Sequence, residues 1–416
     1  MVQRNEYLAA LAAWREKQVI KVVTGVRRCG KSTLLSQYID KLKASGVSGE
    51  QIISINLEAP EFESLLNREA LYAYIQKRLC KNKYTYVFID EVQQCAGFEK
   101  AIDGLFIKKR VDLYITGSNA YMLSGELATL LSGRYVEISM LPLSFAEYLS
   151  FTGINTRKKT PDLRAALNDY LYFGSFPYAA VLGADSKMIK TYIDGIYNTV
   201  LIKDVAKRAG VTDISVLESI IKFLSHSVGS SISVKKISDT INSSGRKISV
   251  NTVDSYLKNL TDSFIFYRAD RYDIKGKQYL KTLGKYYIVD TGIRNMLLES
   301  STPDLGHQLE NIVYLELLRR GCRVSVGKLS FNKLAEKEID FVATGTHAAE
   351  DAPGGISYYQ VAASVMDPDT LARELSGLQK IKDNHPKYLL TFDDIPSRAN
   401  HDGIIQRYVI DWLLGK

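Results

Sequence analysis

The sequence predicts an α/β protein whose first third is a parallel sheet flanked by helices. Three observations predict it. Residues 1 to about 140 alternate apolar runs with helical spacing, which places strands at 19–24, 51–57, 84–90, 111–117 and 134–139. A glycine-bracketed loop, GVRRCGKS from Gly25 to Ser32, separates the first strand from a helix-patterned run, TLLSQYIDKL. A later apolar strand, YVFIDE, ends in Asp90 and Glu91. In a sheet of this kind, ligands bind at the carboxyl ends of the strands.

The loop has the Gly-x-x-x-x-Gly-Lys-Ser spacing in the strand, turn and helix context that a phosphate-binding loop needs. Gly25 and Gly30 let backbone amides turn inward around phosphate oxygens, with Val26, Arg27, Arg28 and Cys29 between them. The positive end of the following helix, from Lys31 through Ser32 and Thr33, faces the same oxygens. Lys31 would set its ammonium on the β- and γ-phosphates, and Ser32 would ligate Mg²⁺ through its hydroxyl. Asp90 would hold that ion from the facing strand through water, and Glu91 would polarise the attacking water as a general base. A kinase needs no such water, so the acidic pair favours hydrolysis, with ATP and Mg²⁺ as ligand and ion. Arg27 and Arg28 either steer nucleotide or stand solvated. Cys29 is either a thiol acidified by Lys31 and the helix end, or an inert loop residue.

The strand VDLYITG runs into Ser118 and Asn119. These either sense the γ-phosphate and orient water or cap the helix that follows. Arg134, in LLSGRYVEI, is either an arginine finger acting in trans or in cis, or a surface residue closing a turn.

A chain of 416 residues holds two to four domains, and 46% hydrophobic with 24% charged residues fits a soluble globular protein. No apolar run is long enough to cross a membrane. The first residues, MVQRNEYLAALAAWREKQ, read as an amphipathic helix without the apolar core of a signal peptide. The four cysteines have neither pairing nor metal spacing, so free thiols in a reducing cytoplasm are expected. The net charge of +8 points to an acidic partner.

From Leu141 to about 210 the text turns helical, which suggests a lid over the nucleotide, interrupted by an exposed basic loop at 155–160. From Val211 three short helices, the first capped by Asp213, precede two strand-like runs, FIFYRADRY and KQYLKTLGKYYIVD. That is the order of a winged helix, placed at 211–295. Between Ile232 and Tyr287 there are eleven Lys or Arg against five Asp or Glu, so most of the excess charge sits in this module. Arg246 and Lys247 precede the third helix, Lys258 lies on it, and Lys275 and Lys277 stand at the wing tip. These cations suit phosphate contacts to DNA; the alternative is a winged helix that binds protein.

In 296–416 a helix carrying Glu310, a strand carrying Asp340, a strand carrying Gln360, a helix and a strand follow in turn. The order resembles the PD-(D/E)XK nuclease fold. Such a site needs two carboxylates for metal and a lysine two residues beyond the second to activate water. Here Gln360 replaces the carboxylate and Ala362 stands where the lysine belongs, so the expected domain is an inactive one.

The whole chain resembles the bacterial and archaeal AAA+ ATPases with a C-terminal domain of unknown function, a group close to the STAND-like archaeal ATPases. GVRRCGKST, YVFIDEVQ, YITGSNA, LSGRYVEISMLPLSFAEY, FGSFP, LIKDV, GHQLENIVYLELLRRG, KEIDFV and YYQVA carry the likeness. It implies an ATPase core over 1–140, a helical lid over 141–210, a winged helix and a restriction-endonuclease-like α/β end domain. It places nucleotide and Mg²⁺ roles on Lys31, Ser32, Asp90 and Glu91 and a finger role on Arg134, and it allows a homo-oligomer. Members often carry Gly-Gly before the Phe-Pro; Ser175 departs from this, so no role is carried onto that loop. Three functions compete: a DNA-associated ATPase, a nucleotide-dependent switch that engages a protein partner without DNA, and a residual nuclease gated by ATP.

Overall fold

The structure, a computed structural model, describes residues 2–120, 133–154, 162–183, 185–202, 205–206, 211, 213–299, 304–332, 335–345, 355–394 and 399–416. The basic loop expected at 155–160 and the helix expected beyond Asn119 lie outside them, as do Lys203 and Asp204 of the LIKDV motif. The chain divides into two compact units, Met1–Pro142 with Asp262–Phe264, and Leu143–Thr261 with Ile265–Lys416.

In the first unit β1 (Ile20–Thr24), β2 (Ile52–Asn56), β3 (Thr85–Asp90), β4 (Val111–Gly117) and β5 (Tyr135–Ser139) fall within one residue of the expected strands. They form one parallel sheet in the order β2-β3-β4-β1-β5. β1 and β3 are buried along their whole length, because a central parallel strand is covered on both faces. On one face Val22, Val87, Ile89 and Ile115 pack with Leu71 and Ile75 of the helix Arg68–Gln76 and with Ile102 and Leu105 of the helix Phe98–Phe106. The opposite face stacks Phe88 on Tyr114 at 4.7 Å and sets Tyr38, from the helix Lys31–Ala44, 5.3 Å from Tyr114. Lys21 shares this second face by strand alternation and pairs there with buried Asp112. Burial pulls the Lys21 ammonium below its usual pKa. Asp112 also accepts from the Tyr114 hydroxyl at 2.9 Å and from the Glu16 amide at 2.8 Å, which satisfies the buried charge. Because β4 lies between β1 and β3, the carboxyl ends of these three strands sit side by side.

The second unit opens with the helices Phe145–Phe151, Leu163–Phe173, Pro177–Val181 and Ser186–Gly195. The sequence suggested a lid over nucleotide here, and several hydrogen bonds tie these helices to the C-terminal half of their unit. The amide and hydroxyl of Ser175 both donate to Asp290 Oδ2, and Asn295 Nδ2 donates to Leu171 O at 2.9 Å. Gly174 has φ of 87°, and a Cβ there would stand 2.3 Å from Asp290 Oδ1. The loop before Phe176 and Pro177 therefore has a structural task, seating the start of the helix Thr291–Leu298.

Three further helices, Ile214–His226, Val234–Ser243 and Val250–Asp262, follow as expected. The Asp213 carboxylate accepts from the amides of Ser215 and Val216, and Ser249 Oγ accepts from the Thr252 amide. Then β6 (Phe266–Asp273), β7 (Gln278–Ile288), β8 (Arg323–Asn332), β9 (Ala335–Thr344), β10 (Ile356–Ala362), β11 (Lys387–Thr391), β12 (Ala399–His401) and β13 (Ile404–Tyr408) build one sheet in the order β12-β13-β11-β10-β9-β8-β6-β7. This sheet crosses the module boundary expected at 295. β6 pairs in parallel with β8, Arg271 beside Val326, so the hairpin continues the C-terminal strands. β8 itself adds a strand that the expected order lacks. The helix Leu305–Arg319 packs on the sheet, with Tyr314 stacked on Tyr287 at 4.1 Å. Among the described residues no helix is long and apolar enough to cross a membrane.

Candidate functional site

The loop after β1 is shaped by close approach. Gly25 has φ of 144°, and a Cβ on it would lie 2.1 Å from Met140 O, so a side chain is excluded. Gly30, at φ of 105°, caps the helix Lys31–Ala44, and Arg28 also adopts a positive φ of 68°. Arg4 supports the loop from behind, a contact that the sequence did not announce. Its buried guanidinium donates to Cys29 O at 3.2 Å, Leu141 O at 2.9 Å and Pro142 O at 3.2 Å.

Lys31, Asp90, Glu91, Ser118 and Asn119 converge at the carboxyl edge of the sheet, and all five are buried. Lys31 Nζ donates to Gly25 O at 2.9 Å and Val26 O at 3.2 Å and lies 3.7 Å from Glu91 Oε1. Thr116, absent from the sequence reading, links the two acids. Its hydroxyl donates to Asp90 Oδ1 and accepts from the Glu91 amide at 2.9 Å. Glu91 sits at a left-handed φ of 52°, a strained conformation for a non-glycine residue that the surrounding bonds hold in place. Gln93 Nε2 donates to Glu91 Oε2 and to Ser118 Oγ. The signal for Gln93 was its place two residues beyond the acidic pair; for Thr116 there was none beyond its place on β4.

Ser32 and Thr33 are exposed at the amino end of their helix. Among the described residues no group of three or more His, Cys, Asp or Glu could hold a metal. One hydroxyl and one or two carboxylates suit a Mg²⁺ that keeps waters and takes phosphate oxygens, rather than an all-protein cage. The donor set therefore fits the ion that the motif implies.

Two readings that the sequence left open are narrowed by the geometry. Arg134 precedes β5, and its carbonyl accepts from the Ile20 amide at the amino end of β1. β1 is five residues long, so Arg134 stands about 16 Å from the phosphate loop of its own chain by strand rise. Its guanidinium pairs with Asp103 and lies over the Phe106 ring, which removes a finger role in cis. Cys29 is fully buried, and burial raises its thiol pKa against the pull of Lys31, so the acidified thiol is excluded. Arg27 pairs with Glu58, while Arg28 is exposed.

In the second unit the structure brings Glu310 and Asp340 together around a lysine that the sequence missed, and Gln360 Oε1 accepts from the Asp340 amide at 3.4 Å. Lys285, on β7, is 2% exposed. Its Nζ lies 2.9 Å from Glu310 Oε1, 2.9 Å from Glu338 Oε1 and 3.6 Å from Asp340 Oδ1. Burial alone would lower this ammonium, but the three carboxylates override it and hold it above its ordinary pKa. Burial, reinforced by Glu310, pushes Asp340 up to about 8. Tyr287 donates to Glu310 Oε1 at 2.7 Å, Val361 N donates to Asp340 Oδ2 at 2.9 Å, and Gln360 Nε2 donates to Glu374 Oε2 at 2.9 Å. Ala362 is buried on β10 and offers no polar group.

The expected DNA-facing cations, Arg246, Lys247, Lys258, Lys275 and Lys277, are all exposed. Arg246 also donates to Ser215 O at 2.8 Å and to Ser219 Oγ. Lys277 adopts a positive φ of 50° in the β6–β7 turn, where Asp273 Oδ1 accepts from the amides of Lys275 and Gly276 at 3.1 Å each.

Comparison with known proteins agrees with this geometry. Residues 17–149 match the model of an AAA domain, and residues 164–304 match a domain of unknown function. An uncharacterized protein of Haemophilus influenzae is 40% identical over 415 residues, covering 100% of this chain and 99% of its own. The uncharacterized protein MJ1544 of Methanocaldococcus jannaschii is 31% identical over 340 residues, covering 78% of this chain and 72% of its own. The Walker-type ATPase PABY2304 of Pyrococcus abyssi superposes with a TM-score of 0.51 at 14% identity, over 72% of this chain and 96% of that one, and so shares the fold. This chain carries an AAA domain and belongs to the same family as the Haemophilus influenzae protein and MJ1544.

Proposed function

We propose that the chain binds ATP with Mg²⁺ and hydrolyses it. One observation carries the reading. A buried ammonium and a buried carboxylate, Lys31 and Glu91, face each other at 3.7 Å beside a glycine loop that admits no side chain. The loop amides and the helix end bind the phosphates, and Lys31 exchanges its carbonyl partners for phosphate oxygens. Ser32 and Asp90 would hold the Mg²⁺, which when bound would supply charge to offset that developing on the phosphates. Glu91 takes a proton from water as its oxygen attacks the γ-phosphorus and the bridging oxygen leaves on ADP. Ser118 and Asn119 contact the γ-phosphate end. Lys31→Ala should abolish Mg²⁺-dependent ATP affinity. Glu91→Gln should keep affinity and lose turnover by roughly 10²-fold or more, the scale of general-base catalysis; normal turnover in that variant would remove Glu91 from the role.

The second unit we read as a DNA-associating half: a winged helix over 211–295 and an inactive nuclease-like domain over 296–416. Five exposed cations on the third helix, its approach and the hairpin turn support this. Gln360, Ala362 and a lysine seated among the carboxylates argue against cleavage. Lys275→Glu with Lys277→Glu should weaken duplex binding and reduce its salt slope by about two. Unchanged affinity would favour the protein-binding switch.

A further inference from the structure

We propose that Gln93 is a positioning residue for hydrolysis, clipping the general base Glu91 to Ser118 at the γ-phosphate end of the site. The inference rests on the ATPase reading above.

Both oxygens of Glu91 are directed from outside the residue. Oε1 faces Lys31 Nζ at 3.7 Å. Oε2 accepts from Gln93 Nε2, which also reaches Ser118 Oγ at 3.3 Å. The Glu91 backbone is fixed in turn by the Thr116 hydroxyl, in a conformation that a non-glycine residue adopts only under constraint. Gln93 Oε1 is buried and has no hydrogen-bond partner among the described residues. Its carboxamide cannot relieve this by flipping, because the flip would press an acceptor against the Glu91 carboxylate. An orphaned buried carbonyl is unfavourable, so the arrangement is held by the Glu91 and Ser118 contacts rather than by the comfort of the amide.

One consequence follows for catalysis. The clip keeps the carboxylate pointed at the water position instead of collapsing onto Lys31, as opposite charges otherwise would. A side chain that only packed would not do this.

The test compares wild type, Gln93→Ala, the near-isosteric Gln93→Glu and Glu91→Gln for ATP affinity, kcat and melting temperature. Gln93→Ala should leave affinity within about two-fold and lower kcat on the order of ten-fold, as expected for a base that is mispositioned but present. Gln93→Glu, which keeps the shape but loses the donor to Glu91, should lower kcat at least as much. If wild type turns over and both Gln93 variants keep its kcat, this inference is overturned and the ATPase reading stands. Affinity and kcat that fall together with the melting temperature would mark Gln93 as merely structural and also overturn it. If wild type shows no more turnover than Glu91→Gln, both readings fall.

Discussion

Lys285 donates to Glu310 across 2.9 Å in the interior of the second unit. The ammonium also touches Glu338 and Asp340, so one cation compensates three carboxylates. Its charge is supplied by the chain, from a strand outside the expected motif.

Removing that charge leaves buried carboxylates facing one another without compensation. Lys285→Met should destabilise the second unit by about 3–5 kcal/mol, the usual cost of orphaning a buried ion pair. Lys285→Arg, which keeps the charge, should lose less. Urea unfolding followed by tryptophan emission from Trp412, buried in this unit, reads the difference. Equal stability of wild type and Lys285→Met would show that the cluster is not held by the lysine.

A pH dependence follows from Asp340. Its folded pKa of about 8 exceeds the unfolded carboxylate value of about 3.9. Between these values the folded protein keeps a proton that the unfolded chain has released. By linkage, the group's stabilising contribution is complete below the lower value and is lost as pH rises through the upper one. The melting temperature should therefore decline from pH 5 to pH 8 more steeply in wild type than in Asp340→Asn, whose amide oxygen can still accept from Val361 N. Parallel profiles for the two proteins would refute the assignment.

Lys285 also shows where sequence reasoning stops. The five strands of the first sheet were legible because buried parallel strands are continuously apolar, and the loop because only glycine tolerates the approach of Met140 O to Gly25. Gln360 and Ala362 were legible as departures from the nuclease pattern that the sequence suggested, because each replaces a group that such chemistry needs. Lys285 and Arg4 were not. A lysine in a strand and an arginine before a helix look like solvated charges, and only long-range packing reveals that both are buried. The continuity of β6 with β8 was hidden for the same reason, since pairing as distant as Arg271 with Val326 leaves no local trace. Thr116 and Gln93 fell between: correctly placed in the chain, but of residue types that carry no signature.

Arg4 and Arg134 give the sharpest contrast between expectation and geometry in the first unit. Arg134 was the expected finger, yet it stands at the amino edge of the sheet with Asp103. Arg4 lies outside every motif, yet it donates to the carbonyls of Cys29, Leu141 and Pro142, tying the phosphate loop to the segment after β5. Each of those bonds involves a charged donor, and each is worth about 1.5–3 kcal/mol when buried. Truncation would leave their carbonyl acceptors unsatisfied and free the loop at Cys29, between the two glycines that shape it. Arg4→Met should therefore weaken ATP affinity by about ten-fold or more and lower the melting temperature of the first unit. Arg134→Ala, with its exposed side chain paired only at the far edge, should leave ATP affinity unchanged. Calorimetric titration of both variants with Mg²⁺ and a non-hydrolysable ATP analogue decides the matter: unaffected binding in Arg4→Met would show that the loop keeps its shape without the brace.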